Sequence, residues 1–121
     1  MPYDEELANR IREALVDYNK VEEKRMFGFL VFMVNGRMCL GVRGDEMMCR
    51  IGPDSMESVL RREGCAPLRM KRKTSLNMIM VAESGMKTKK DFNFWINQAL
   101  VFNLGRGADA RRKTDRKRRR S

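Results

Sequence analysis

The sequence contains no histidine, and that absence removes more chemistry than any other feature of its composition. Imidazole is the usual general base, the group that activates serine and cysteine nucleophiles, and the commonest metal ligand. Cysteine is scarce as well. Cys39, Cys49 and Cys65 are an odd number with no CxxC spacing, too few and too separated for a structural zinc site. Phosphate-binding glycine patterns are missing, with neither GxGxxG nor a Walker sequence. The carboxylates Asp4, Glu5, Glu6, Asp54, Glu57 and Asp91 fall where helices should start, and capping accounts for them there. The chain is therefore expected to be no enzyme, with no catalytic residue, cofactor or metal.

No apolar run approaches the ~20 residues of a membrane span. The acidic opening Asp4-Glu5-Glu6 is unlike the basic start of a signal peptide, so a cytoplasmic location is expected. In that reducing setting the cysteines read as small apolar filler.

What the sequence does have is positive charge, unevenly spread. The net charge of the 121 residues is +10, yet residues 106–121 alone hold nine Lys/Arg against two Asp/Glu. Gly105 and Gly107 interrupt the apolar periodicity before them, and the stretch from Arg111 to Arg120 offers nothing to bury. The expected organisation is a domain over residues 1–104 followed by a basic disordered tail, 105–121.

Within the domain, residues 24–53 read as three antiparallel strands joined by tight turns. Asn35-Gly36 is a strong type I′ hairpin signal, and Gly44-Asp45 marks a second two-residue loop. Uninterrupted pairing sets Met33 opposite Met38, Val31 opposite Leu40, Phe29 opposite Val42 and Leu40 opposite Cys49. Alternation then gathers Phe29, Val31, Met33, Met38, Leu40, Val42, Met47, Cys49 and Ile51 on one core face without a polar member. Leu30, Phe32, Val34 and Met48 go to the other face, beside Cys39 and several arginines. In this register Cys39 and Cys49 point to opposite sides, which argues against a disulfide between them.

Around this meander, Asp4 is placed to cap a helix carrying the stripe Leu7, Ile11, Ala14, Leu15 and Tyr18, ending near Asn19. Val21 to Lys24 reads as a polar connection. Asp54-Ser55-Met56-Glu57 has capping-box spacing ahead of a short helix closed by Gly64 and Pro67. Leu68 to Thr74 is a basic loop or an irregular edge strand, and Met78 to Glu83 is a further strand. Thr88 and Asp91 form a second capping pattern, before a last helix with Phe92, Trp95, Ile96, Ala99, Leu100 and Phe102 on its apolar side. The expected fold is α+β: an antiparallel sheet of about four to five strands with the N- and C-terminal helices packed on one face.

Several stretches together closely resemble the N-terminal domain of the TfoX/Sxy family of bacterial competence regulators. They are Arg25-Met26-Phe27-Gly28, Phe32 through Met38, Gly41-Val42, Asp45-Glu46-Met47 and Arg50-Ile51-Gly52-Pro53. The likeness runs from Tyr3-Asp4-Glu5-Glu6-Leu7 to Lys87-Thr88-Lys89-Lys90-Asp91 and Trp95 through Phe102. Phe29 and Lys73-Thr74-Ser75 depart from the family pattern. The resemblance implies a fold similar to secretion-chaperone-like α+β domains. It also implies a non-enzymatic regulatory or adaptor role in transcription, exercised with the cyclic-AMP receptor protein as partner.

Two surfaces are expected to carry such a role. Leu30, Phe32, Val34 and Met48 form a candidate protein interface, with a partner or with a second copy of the chain, because apolar surface rimmed by arginine marks contact sites. Arg69, Lys71, Arg72 and Lys73 in the basic loop, with Arg111, Arg112, Lys113, Arg116, Lys117, Arg118, Arg119 and Arg120 in the tail, are candidates for sequence-nonspecific nucleic-acid binding.

Overall fold

A computed structural model describes residues 3–111, and the side chains of residues 3–105. Helix α1 spans Glu5–Ala14 and is capped as its sequence dictates, with the Asp4 carboxylate accepting from the amides of Glu6 at 2.8 Å and Leu7 at 3.4 Å. Strands β1 (Val21–Met26), β2 (Phe29–Val34), β3 (Arg37–Arg43) and β4 (Glu46–Arg50) follow as successive hairpins. A four-residue helix α2 (Met56–Val59) leads to β5 (Cys65–Met70) and β6 (Lys73–Val81), and α3 (Lys89–Arg111) closes the described chain. The six strands form one antiparallel sheet in the order β1-β2-β3-β4-β6-β5.

The sheet is thus wider than the four to five strands expected, and both extra contributions come from its edges. Val21 to Lys24, which reads as a polar connection, is most of β1. Its charged side chains suit an edge, where they discourage pairing with another chain. Arg12 of α1 fastens it, donating from Nε and Nη2 to the two carboxylate oxygens of Glu23 at 2.7 and 2.9 Å. Those hydrogen bonds hold the Glu23 carboxyl below its ordinary range. The opposite edge is β5, where Pro67 is tolerated because an edge strand needs no donor on its outer side.

One sequence expectation about caps fails and another holds. Pro53–Ser55 form a 3-10 turn, which leaves Ser55 in the αR region at φ −91° and ψ −9° rather than in the extended conformation of a capping residue. Neither Asp54 nor Ser55 caps α2, and the Ser58 hydroxyl donates to the Ser55 carbonyl instead. Thr88 does cap α3, its Oγ1 accepting from the Asp91 amide at 3.0 Å. Helix α3 continues through Gly105 and Gly107 to Arg111, past the boundary expected after residue 104.

The main correction concerns the meander. Val34 faces Arg37 and Met33 faces Met38 as the Asn35-Gly36 turn requires, but the next pair is Phe32 with Leu40. Cys39 is an extra residue on β3, a β-bulge, and beyond it Val31 faces Gly41 and Leu30 faces Val42. The shift exchanges the two faces of β2. Leu30, Phe32 and Val34 join Cys39, Leu40, Val42, Met47, Cys49, Ile51, Ile79 and Val81 beneath the helices, packed with Ile11, Leu15, Trp95, Ala99 and Leu100. Phe29, Val31, Met33 and Met38, expected in that core, lie on the far side with Met48, Leu68 and Met80.

Two hydrogen bonds fix how α3 lies along the sheet. The Trp95 indole N–H donates to the Gly85 carbonyl at 3.0 Å, and the Asn103 amide nitrogen donates to the Val34 carbonyl at 3.1 Å.

The bulge makes Phe32 a core residue. Phe32→Ala should cost about 3–5 kcal/mol in denaturant unfolding, whereas Met33→Ala, half-buried on the far face, should cost markedly less. Equal effects, or a larger one for Met33, would contradict the observed register.

Candidate functional site

The candidate protein interface does not assemble as a surface. Leu30, Phe32 and Val34 are 5%, 0% and 1% exposed beneath α1 and α3, while Met48 lies on the opposite face at 2%. The physical cause is the bulge, which turns the three β2 residues inward and leaves Met48 where alternation put it.

The far face that results is built from methionine. Met26, Met33, Met38, Met70 and Met78 are half-buried around Phe29, Val31, Met48, Leu68 and Met80. Gly41 makes this layer possible: a Cβ there would stand 3.1 Å from the Met48 methyl carbon and 3.5 Å from the Phe29 ring. Unbranched methionine side chains fill the irregular space over a twisted sheet that, among the described residues, carries no helix on this side.

Strand directions give the domain two distinct ends. One end carries the β1–β2 turn Phe27-Gly28 and the β3–β4 turn at Gly44, to which Tyr3 is bridged. Phe27 is 71% exposed and holds φ +56°, followed by Gly28 at +81°. Both central residues of this two-residue loop have positive φ, so the turn is type I′, as Asn35-Gly36 is at the other end. Asparagine is at home there; a phenylalanine is not. Asp4, Glu6, Asp45 and Glu83 line a cleft of about 310 Å³ at the Phe27 end, with Leu7, Arg10 and Met86.

The opposite end is basic. Strand β6 pairs with β4 only over Met78–Val81, and the Ile51 amide donates to the Asn77 carbonyl at 2.8 Å. Residues 73–76 therefore run beyond β4, and Lys73 and Thr74 pair with Met70 and Arg69 of β5 as the end of a two-stranded ribbon. Between the pairs Pro67–Ile79 and Arg69–Thr74, β5 has one residue where β6 has four, an irregularity of the kind that bends a ribbon. Its exposed tip brings together Arg69, Lys71, Arg72 and Lys73, with Lys71 at φ +56° and Leu76 78% exposed. Arg111 ends the backbone of α3. Arg112, Lys113, Arg116, Lys117, Arg118, Arg119 and Arg120 lie outside the described residues.

Phe27 and Leu76 escaped the sequence reading. The signal for Phe27 was an Xaa-Gly pair between the apolar residues Met26 and Phe29, a two-residue loop hidden by taking the preceding charges for a connection.

Two arginines on the helical side have structural occupations. The Arg62 guanidinium stacks 3.7 Å from the Phe94 ring centroid and pairs with Asp91 at 3.6 Å. Arg10 stacks on Phe92 at 4.0 Å, in a cleft of about 500 Å³ between α1 and α3. Among the described residues no group of three or more His, Cys, Asp or Glu could hold a metal ion. No helix there is long and apolar enough to cross a membrane. The three thiols are free. The bulge corrects the expectation that Cys39 and Cys49 face apart, since both lie in the core beneath the helices. Burial pushes Cys39 up to about 12, Cys65 up to about 11 and Cys49 well above the ordinary thiol value. They are neutral at physiological pH and poorly suited to nucleophilic or ligand chemistry.

An open antiparallel sheet with both long helices on one face and a methionine layer on the other defines an α+β domain. The model of the TfoX N-terminal domain matches residues 13–102, and the chain belongs to that family. A crystal structure of a protein from Pseudomonas syringae is similar, with a TM-score of 0.57 at 17% sequence identity over 80% of this chain and 96% of that one, a likeness of fold alone. Comparison with curated proteins gives no match.

The thiols supply a pH prediction. In the unfolded chain they ionise near 9.0, whereas in the native state Cys39 does so only near 12. The native state holds more protons in this window, so stability falls as pH rises from about 9 towards 12, by roughly 1.4 kcal/mol per pH unit for each thiol involved. Unfolding measured across this range should show a shallower decline for Cys39→Ala than for the native sequence. Identical slopes would mean that Cys39 is not protected.

Proposed function

We propose that the chain is a regulatory or adaptor domain with no enzymatic step of its own, acting in transcription by protein–protein contact. Family membership supports the general role. The observation that carries the contact reading is Phe27, an exposed aromatic ring held at positive φ on a hairpin tip. A bulky residue in that conformation costs energy that asparagine or glycine would avoid, and such strain concentrates at functional positions. The ring is rigid and large enough to anchor an interface. Met26 beside it belongs to the methionine layer, so ring and layer form adjoining apolar surface that can adapt to a partner. The cyclic-AMP receptor protein, implied by the resemblance to the competence regulators, is the first partner to test.

Phe27→Asn separates strain from function. The variant should melt at a higher temperature, by about 0.5–1 kcal/mol of added stability, because asparagine suits the first position of an Asn-Gly type I′ turn. It should also lose capture of the purified cyclic-AMP receptor protein at matched concentration. Undiminished capture by the variant would remove Phe27 from the interface.

A further inference from the structure

Four cations gather on the β5–β6 ribbon, Arg69, Lys71, Arg72 and Lys73, and residues 69–77 include no acidic side chain. Among the described residues none of the four takes part in an ion pair or ring contact, whereas Arg10, Arg12, Arg25, Arg43, Arg61 and Arg62 all do. Lys71 sits in the left-handed region, where glycine or asparagine would be less strained.

The ribbon does not stand alone at its end of the sheet. Helix α3 begins near Gly85, reached by Trp95, and arrives beside Val34 and Gly52, where Asn103 bonds the Val34 carbonyl and Phe102 would stand 3.3 Å from a Cβ on Gly52. Gly52 follows Ile51, whose amide holds Asn77 at the root of the ribbon. From Asn103 the helix runs eight more residues to Arg111, about 12 Å at the helical rise. The basic ribbon and the outgoing end of α3 therefore leave the same end of the sheet, and the sequence that follows Arg111 is rich in arginine. Asp4, Glu6, Asp45 and Glu83 lie at the other end.

We propose that this end docks on duplex DNA, with the β5–β6 ribbon entering the major groove and its cations neutralising phosphates at the groove walls. A two-stranded ribbon fits the ~12 Å width of the major groove in B-form DNA, and the deep, narrow groove of duplex RNA excludes it. Unpaired exposed cations need no partner broken before they meet phosphate, and each contact releases counterion. The exposed Leu76 and Thr74 supply the apolar and hydroxyl groups that meet base edges in such grooves. The carboxylates of Asp4, Glu6, Asp45 and Glu83 lie at the far end, away from the polyanion. This contact is independent of whether Phe27 meets a protein.

The test is anisotropy of a fluorescent 20-base-pair DNA duplex titrated with the full chain at several salt concentrations. Lys71→Gln with Arg72→Gln removes two charges from the tip; Lys89→Gln with Lys90→Gln removes two exposed charges elsewhere. All four side chains are exposed, and melting curves confirm that both variants fold. The tip variant should bind DNA about tenfold or more weakly near 0.1 M salt, with the slope of log affinity against log salt shallower by about 2. The Lys89/Lys90 variant should bind like the native chain, and the tip variant should bind duplex RNA as the native chain does. Equal losses in the two variants would mean that binding follows net charge alone and would overturn the assignment. An equal dependence of RNA binding on the tip would also overturn it, by removing the groove. So would competition by polyglutamate as effective as by DNA at matched charge, which would make the ribbon a dock for acidic protein surfaces.

Discussion

The architecture depends on one residue of β3 that has no opposite number on β2. Cys39 and Leu40 together face Phe32, and because side chains alternate along a strand, that single extra residue decides which side of the sheet all of β2 presents beyond it. With the bulge, Phe32 enters the layer under α1 and α3 next to Trp95 and Ile11, and the far face is left to Phe29, Val31 and the methionines. A small residue is needed at the bulge, since Cys39 shares one side of the sheet with Leu40. Burial there keeps its thiol neutral.

Much of the fold was legible in the sequence because local chemistry stated it without ambiguity. Asp4 and Thr88 cap helices, Asn35-Gly36 closes a type I′ turn, and Val42 faces Met47 as a two-residue loop at Gly44-Asp45 requires. The face of β2 was not legible for a physical reason. Phe29 to Val34 is apolar at every position, one set of side chains lying under the helices and the other in the methionine layer, so alternation offers no preference between two registers. The charged residues of β1 were equally uninformative, because an edge strand is polar for the same reason that a loop is. The ladder with β2 and the pairing of Arg12 with Glu23, eleven residues apart, order that stretch, and no spacing rule reveals either.

The candidate surfaces divide along the same line. The basic residues of the ribbon could be named from sequence because charge is visible there, but that they cap a bent two-stranded ribbon at the end where α3 departs required the topology. The apolar interface named from alternation was buried by the bulge, and the ring that is exposed, Phe27, sits at the other end of the sheet. On the reading proposed above, the aromatic tip at one end and the cations at the other would let the domain bridge a protein and a polyanion. The two contacts would be separated by the length of the strands, so occupying one need not obstruct the other.

The register beyond Cys39 is most directly tested by interstrand nuclear Overhauser contacts in the isotopically labelled protein. The bulge predicts backbone contacts between Leu30 and Val42 and between Phe32 and Leu40, alongside Met33 with Met38. Contacts of Phe29 with Val42 and of Val31 with Leu40 would show uninterrupted pairing, which would return Phe32 to the far face and contradict the structure at its centre.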